Sequence, residues 1–195
     1  FLLADEINRA PAKVQSALLE AMQEGQVTIG DETFQLPEPF LVMATQNPIE
    51  QEGTYTLPEA QKDRFLLKVK VAYPNAIEEQ SIIKAQIQAK PIKKLQKVLS
   101  KKDVLRLKGL VKEVYLDDKV EKYIVEIVHQ TRQPTLKALE PLKPYLLYGA
   151  SPRGSIGLAL AAKALAFMEG RSFVIPDDVK MMAIPVLNHR IGLSY

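Results

Sequence analysis

The sequence predicts an α/β fold in two parts: part of a parallel β-sheet with a β-hairpin insertion over residues 1–74, then an all-α domain over residues 75–195. Two short apolar runs, residues 1–4 and 40–45, each end abruptly in polar side chains, as strands buried in a parallel sheet do. Residues 1–74 carry six Lys and Arg against eleven Asp and Glu, a net charge of −5. Residues 75–195 carry twenty against twelve, a net charge of +8, and their apolar spacing is helical. We therefore expect a domain boundary near residue 74.

The opening strand, residues 1–4, leads directly into two adjacent carboxylates, Asp5 and Glu6. In α/β folds ligands bind at the carboxyl ends of the strands, so these acids are expected at the ligand-binding edge. Two acids after an apolar strand resemble the second nucleotide motif of P-loop ATPases, in which one acid helps to hold Mg²⁺ and the other polarises the attacking water. The alternative is a buried strand whose polar residues simply begin a loop.

The remaining elements of the first part follow from turn residues and periodicity. Pro11 and Gly25 are typical of a helix start and end, and the residues between them carry a narrow apolar stripe at helical spacing. Further along the chain the sequence predicts a hairpin of residues 26–29 and 33–36 around a Gly-Asp turn, a second buried strand over 40–45 ending in Gln46-Asn47-Pro48, a polar loop to Leu57, a short helix over 58–63, and a strand over 65–71 after Arg64.

The second part is predicted to be helical throughout. Ser151 with Pro152 is a good helix start, and Asp177 is expected to cap the last helix. The predicted helices are residues 78–89, 102–115, 119–131, 151–169 and 177–187.

Composition narrows the chemistry. The chain has no cysteine, which excludes disulfides, thiolate metal sites and cysteine nucleophiles and is compatible with the cytoplasm, where we expect the protein. Its two histidines, His129 and His189, lie far apart and show no metal-ligand spacing. No apolar run approaches 18 residues, so we expect no membrane span.

A basic segment extends from Lys90 to Lys112, with nine Lys and Arg and one acid. Nucleic-acid binding is one interpretation of such a segment. The other is a solvated surface of a linker and a helix, which we favour because no aromatic residue interrupts the charges. We therefore expect no nucleic-acid partner.

No Gly-x-x-x-x-Gly-Lys-Ser/Thr occurs in the sequence, and the chain begins without Met at the strand that carries the acids. We expect the chain to be the carboxyl-terminal portion of a longer protein. On its own it is then expected to be inactive, because it lacks the loop that holds the phosphates.

Five side chains, in chain order, have the chemistry that phosphoryl transfer to water requires: Asp5, Glu6, Asn47, Arg64 and Arg153. An acid activates water, an amide positions it, and arginines balance the charge that builds on the γ-phosphate. Each also has a simpler explanation. Asn47 fits a turn before Pro48, Arg64 a surface ion pair, and Arg153 the first turn of a helix.

Several motifs closely resemble the MoxR family of AAA+ ATPases over essentially the whole chain. They are Asp5-Glu6-Ile7-Asn8-Arg9-Ala10, Ala44-Thr45-Gln46-Asn47-Pro48-Ile49-Glu50-Gln51-Glu52-Gly53-Thr54-Tyr55, Leu57-Pro58-Glu59-Ala60-Gln61, Asp63-Arg64-Phe65 and Gly149-Ala150-Ser151-Pro152-Arg153.

The resemblance implies a role for each site residue. Asp5 and Glu6 would be the Walker B pair, with Asp5 on Mg²⁺, Asn47 would be the sensor-1 residue, Arg64 the arginine finger acting on a neighbour's ATP, and Arg153 the sensor-2 arginine. It also implies a partial P-loop core with a pre-sensor hairpin insertion, a helical lid, and ATP and Mg²⁺ as substrate and cofactor. The departure from the family is the missing Walker A loop.

The resemblance further implies a homo-oligomeric, hexameric ring with a chaperone-like role. Such ATPases assemble or activate partner complexes, often alongside von Willebrand factor A domain proteins. Two alternatives remain open: the ATPase subunit of a metal chelatase, and a non-enzymatic helical module that mediates protein contacts.

Overall fold

The computed structural model describes residues 1–47, 55, 57–87 and 96–194. Most of the predicted polar loop after Asn47 and the first part of the basic segment lie outside the described residues. The helices and strands are β1 (Leu2–Ala4), α1 (Ala12–Glu24), β2 (Gln26–Ile29), β3 (Glu32–Gln35), β4 (Val42–Ala44), α2 (Glu59–Lys62), α3 (Ala76–Ile87), α4 (Lys101–Glu113), α5 (Asp118–Arg132), β5 (Leu146–Tyr148), α6 (Pro152–Met168), α7 (Pro176–Leu187) and β6 (Gly192–Leu193), with 3-10 turns at Ile7–Arg9 and Lys137–Tyr145.

The predicted α/β class is confirmed. β1 and β4 pair in parallel, with Leu2 beside Val42 and Ala4 beside Ala44. Both strands therefore end at the same level, and the polar residues that follow them meet at one edge of the sheet.

The predicted hairpin forms from β2 and β3, which pair in antiparallel register through Thr28 and Thr33. Gly30 occupies its turn with a φ of 64°, a left-handed conformation that glycine adopts without steric cost. Ile29 and Phe34 are exposed on this hairpin.

Helix α1 ends as predicted at Gly25, whose φ is 62°. Its buried side chains are Gln15, Leu19 and Ala21, whereas Val14, at the start of the predicted apolar stripe, is 54% exposed. The buried face of α1 is thus offset from the apolar stripe, because it includes the Gln15 amide, which donates to backbone carbonyls.

The predicted strand over residues 65–71 is wrong. The carbonyls of Phe65 and Leu66 accept hydrogen bonds from Arg190, and the Lys68 N–H donates to the carbonyl of Pro185 at 2.8 Å. Since these backbone groups are bonded to the end of α7, they are not available to a strand ladder.

The second part is a helical bundle. Its core is formed by apolar side chains from α5, α6 and α7, among them Ile124, Val128, Leu158, Val179 and Val186. The predicted helices are present, with small shifts at their ends, and residues 88–89 of the first predicted helix lie outside the described residues.

Two details of the second part differ from the predictions. β5 and β6 add a small antiparallel pair of strands to the helices. Gly192 of β6 packs directly on Tyr148, since a Cβ there would lie 2.1 Å from a ring carbon of Tyr148. Asp177 does not cap α7, because Pro176 already occupies the first helical position. The Ile175 N–H instead donates to the carboxylate of Asp178 at 2.9 Å.

Candidate functional site

The acidic end of β1 is organised by one hydroxyl from the end of β4. Thr45 Oγ1 donates to Asp5 Oδ1, and the same oxygen accepts the Glu6 N–H at 2.8 Å. Backbone bonds on either side, from Thr45 N–H to the Ala4 carbonyl and from Ile7 N–H to the Thr45 carbonyl, are both 3.0 Å long. Thr45 therefore fixes the Asp5 carboxylate and the backbone of Glu6 relative to the neighbouring strand.

Glu6 leaves the strand in a left-handed conformation, with φ 49° and ψ 50°. Left-handed backbone is uncommon for a residue with a Cβ, and it redirects the chain sharply into the Ile7–Arg9 turn. The Glu6 carboxylate is partly exposed and lies 3.0 Å from Arg9 Nε.

The buried side-chain amide of Gln15 is hydrogen-bonded to this turn. Gln15 is 2% exposed, and its Nε2 lies within hydrogen-bonding distance of the carbonyls of Ile7, Ala10 and Tyr55, at 3.2, 3.1 and 3.4 Å. Gln15 thus connects the turn after Glu6 to Tyr55.

Asn47 lies at the same edge of the sheet, since its carbonyl accepts from Asn8 Nδ2 at 3.4 Å. The structure therefore gathers three of the predicted site residues, Asp5, Glu6 and Asn47, beyond the ends of β1 and β4.

Arg64 lies in a different place, beside α1. It lines a cavity of about 270 Å³ together with Gln61 and five residues of α1: Ser16, Leu19, Glu20, Gln23 and Glu24. Its Nε is buried and has no hydrogen-bond partner among the described residues.

Arg153, the last of the predicted site residues, lies in the first turn of α6, where the Ser151 hydroxyl accepts a hydrogen bond from its backbone N–H at 3.0 Å. Its guanidinium is half-exposed, and Nη1 lies 3.5 Å from Asp63 Oδ2. The same carboxylate oxygen accepts from Ser151 Oγ at 2.7 Å. Asp63 therefore connects the start of α6 to the residue directly before Arg64.

Arg190 is a residue that the sequence analysis missed. It follows α7, its side chain is 3% exposed, and its Nε donates to Asp63 Oδ1 at 3.0 Å. A buried arginine is unusual unless its charge is paired, but a lone arginine in a predicted helical domain carries no sequence signal that separates it from a surface one.

His189 lies beside Arg190 and is 8% exposed. Its Nε2 is 2.8 Å from the Phe65 carbonyl, whereas Nδ1 is buried without a hydrogen-bond partner among the described residues. Burial, reinforced by the positive charges of Arg190 and Lys68, lowers the pKa of His189, against the hydrogen bond to Phe65 and the charge of Asp63, which act to raise it.

The donor set at the sheet edge fits Mg²⁺ bound with a nucleotide. Magnesium is usually held by one or two protein carboxylates, with phosphate oxygens and water as its other ligands, so a single strand-end carboxylate such as Asp5 suffices. Within the described residues no group of three His, Asp or Glu side chains could hold a metal ion without such help. No helix in that part of the chain is long and apolar enough to cross a membrane.

Two family descriptions match the chain. Residues 1–67 match the ATPase family associated with various cellular activities (AAA), and residues 142–194 match the AAA lid domain.

Three similar proteins extend the comparison. The chaperone MoxR1 of Mycobacterium tuberculosis is 51% identical over 195 residues, which is 100% of this chain and 51% of that protein. The uncharacterised protein YeaC of Bacillus subtilis is 50% identical over 99% of this chain and 58% of its own length. A crystal structure of a Cytophaga hutchinsonii protein classed with the ATPases superposes with a TM-score of 0.93 at 51% identity, covering 99% of this chain and 58% of that one. The chain thus spans between 51% and 58% of the length of these relatives.

Proposed function

We propose that this chain, which belongs to the MoxR family of AAA+ ATPases, supplies the water-activating edge and the lid of an ATPase with a chaperone-like role. Its activity requires a phosphate-binding loop, and a protein that carries this chain together with such a loop is called the parent ATPase below. The chain alone is proposed to be inactive. In this proposal residues 1–74 belong to the nucleotide-binding core and residues 75–195 form the lid.

The observation that carries the proposal is the Thr45 hydroxyl, which bonds both Asp5 and the backbone of Glu6. It holds the Asp5 carboxylate and the backbone of Glu6 where two parallel strands end. A held carboxylate beside a second, partly exposed acid suits a reaction in which one acid accepts a proton from water while the other stays on a metal.

The proposed roles of the site residues rest on this arrangement and on the family likeness. Glu6 orients and deprotonates the attacking water, and Asn47, at the same edge, positions it. Asp5 would hold Mg²⁺, which when bound neutralises charge on the phosphates. Arg153 is proposed to contact the γ-phosphate from the lid of the same subunit, and its half-exposed guanidinium is accessible for that contact.

Arg64 is proposed to act on the nucleotide of a neighbouring subunit in a ring of identical chains. The position of Arg64 supports this role. Arg64 lies against α1, in a cavity that Glu20 and Glu24 also line, and not at the edge of the sheet where Asp5 and Glu6 lie. Client proteins, von Willebrand factor A domain partners and a cytoplasmic location belong to the same proposal and rest on the family likeness.

Replacement of Glu6 by Gln in the parent ATPase tests the proposal. Glu6→Gln keeps the shape of the side chain and removes its basicity, so ATP binding should remain while turnover falls about 10²-fold or more. Asp5→Asn should instead weaken Mg²⁺-dependent binding. Glu32→Gln, on the exposed hairpin, is the matched control and should leave both unchanged. Near-normal turnover in Glu6→Gln would show that Glu6 only begins a loop.

A further inference from the structure

We infer that Arg190 is a positioning residue that attaches Arg64 to the lid, so that the orientation of the lid determines where Arg64 is presented. The inference rests on the proposed role of Arg64 as a group that acts on a neighbouring subunit. Its basis is the complete set of hydrogen bonds that one buried guanidinium makes across the boundary between the two parts of the chain.

The five N–H groups of Arg190 can all be assigned. Nε donates to Asp63 Oδ1 at 3.0 Å, and Nη2 donates to the carbonyls of Asp63 and Phe65 at 3.1 and 2.6 Å. Nη1 donates to the carbonyl of Leu66 at 3.2 Å and to that of Val186. Five donors is the full capacity of a guanidinium, so no other side chain could replace all of these bonds.

Four of the five acceptors belong to residues 63–66, and the fifth belongs to α7. The residues on both sides of Arg64 are therefore held by a side chain of the lid. Arg64 itself is joined to the core through its N–H, which donates to the carbonyl of Gln61 at 3.2 Å.

His189 and Lys68 strengthen the same attachment. His189 Nε2 lies 2.8 Å from the Phe65 carbonyl oxygen and 2.8 Å from Arg190 Nη1, so the histidine ring contacts both sides of the attachment. The Lys68 N–H donates to the Pro185 carbonyl, the residue before the Arg190 acceptor Val186. The end of α7 and residues 63–68 thus form one hydrogen-bonded unit.

Asp63 extends the unit to the second arginine of the site. It is paired with Arg190, it accepts from the Ser151 hydroxyl that starts α6, and it lies 3.5 Å from Arg153. A phosphate that draws Arg153 and the lid inward would therefore move residues 63–66, and Arg64 with them. This links the nucleotide state of one subunit to the group that it presents to the next.

The test uses Arg190→Lys in the parent ATPase. Lysine keeps the charge beside Asp63, but its three donors on one atom cannot reach the carbonyls of residues 63, 65 and 66 together. ATP binding should stay within about 3-fold, whereas turnover should fall on the order of 10²-fold, as expected when a catalytic group is misplaced by about 1 Å. Arg171→Lys is the matched control, since Arg171 pairs with Asp178 inside the lid and should affect only stability.

Mixed rings distinguish a positioning role from a general loss of structure. Arg190→Lys subunits keep Glu6, and Glu6→Gln subunits keep a well-positioned Arg64. In a random equal mixture about a quarter of the interfaces then have both groups intact, and activity should return. A mixture of Arg190→Lys with Arg64→Ala should stay inactive, because neither subunit presents a working arginine.

Each failure has a distinct meaning once subunit exchange is verified. No recovery in a mixture of Arg64→Ala with Glu6→Gln would remove the proposed role of Arg64. Recovery there, but none with Arg190→Lys and Glu6→Gln, would overturn the inference about Arg190 alone, as would normal turnover in Arg190→Lys.

If Arg190→Lys does not fold, Gly157→Val tests the same attachment. A Cβ at Gly157 would lie 3.3 Å from Leu66 Cδ1 and 3.4 Å from Val186 Cγ1, so the larger valine presses on both of the segments that Arg190 joins. Faster amide exchange at Lys68 with the same pattern of recovery in mixed rings supports the inference. Faster exchange with normal turnover, or exchange and turnover both unchanged, contradicts it.

Discussion

At the scale of single residues, the candidate site depends on side chains that are not themselves acids or bases. The Thr45 hydroxyl accepts a hydrogen bond from the Glu6 N–H and donates one to the Asp5 carboxylate. Its loss would remove both bonds and leave the backbone bonds of Thr45 with Ala4 and Ile7 as the connection between the two strand ends. Position, more than the chemical strength of each acid, is what this residue provides.

Thr45→Val should therefore loosen the acidic edge without changing its shape. Valine has nearly the size of threonine but no hydroxyl, and the chain alone should lose about 1 kcal/mol of its free energy of unfolding, as expected for partly exposed hydrogen bonds. In the parent ATPase the turnover should fall more than the stability suggests. Urea denaturation and steady-state turnover measure the two effects.

Thr28→Val is the control for this comparison. The Thr28 hydroxyl also makes side-chain hydrogen bonds, to Glu20 and Thr33, but it lies on the exposed hairpin away from the acids. Equal losses of turnover in the two variants would show that Thr45 has no particular role at the site.

The sequence predicted the residues of the candidate site better than it predicted the residues that hold them in position. Asp5, Glu6 and Asn47 follow apolar strands, and a parallel pair brings strand ends together, so their proximity could be predicted. Arg190 could not, because its significance depends on residues 63–66 that are more than 120 positions away in the chain. Nothing in local periodicity reports that contact.

At the scale of elements, α1 shows how a buried polar group changes the face that a helix turns inward. Apolar spacing alone predicts a stripe that begins at Val14, but Gln15 is buried and Val14 is exposed. The buried Gln15 amide needs hydrogen-bond partners, and the carbonyls of Ile7 and Ala10, in the turn after Glu6, lie within reach of it. Helix α1 is therefore oriented by hydrogen bonding as well as by burial of Leu19.

Gln15→Leu should destabilise this element strongly. Leucine fits the volume but removes the side-chain donor from the Ile7 and Ala10 carbonyls, of which that of Ile7 keeps the Ala10 N–H, so the free energy of unfolding should fall by about 1–2 kcal/mol. Gln23→Leu, an exposed position on the same helix, should change it by less than about 0.5 kcal/mol. Urea denaturation of the chain gives both values, and similar losses in the two variants would contradict the role of Gln15.

The predicted strand over residues 65–71 failed for a related reason. Alternating apolar residues favour a strand, but a strand also requires partners for its backbone groups. Here the partners come from Arg190, His189 and the Pro185 carbonyl at the end of α7. Whether such groups lie nearby is a property of the tertiary structure, which a local pattern does not contain.

At the scale of the whole molecule, the two parts of the chain are joined by a junction of charged and titratable groups. Asp63, Arg190 and His189 are its centre, and Lys68 lies close enough for its charge to act on His189. The charged side chains that act on His189 are Arg190 and Lys68, which are positive, and Asp63, which is negative. A positive charge on the buried histidine ring is therefore unfavourable in the folded protein.

The stability of the molecule should depend on pH through His189. Burial lowers the pKa of His189 in the folded protein, so the ring takes up a proton there only at a lower pH than in the unfolded chain, where it does so near its ordinary pKa of about 6.5. The unfolded state then binds more protons as the pH falls below about 6.5, and the free energy of unfolding decreases, by at most about 1.4 kcal/mol per pH unit for one group. The loss continues down to the lowered pKa of the folded state.

Substitution by glutamine separates this effect from the titration of carboxylates. Glutamine in place of His189 can still donate to the Phe65 carbonyl but does not titrate, so urea denaturation between pH 5 and pH 8 should show a weaker loss of stability on acidification. His129→Gln is the control, since His129 lies on α5 outside the junction and its substitution should leave the pH dependence as in the wild type. An unchanged slope in His189→Gln, or the same reduction in His129→Gln, would show that the junction does not respond to protonation of this histidine. A reduced slope in His189→Gln alone would identify the contact between core and lid as the part of the molecule that acid weakens.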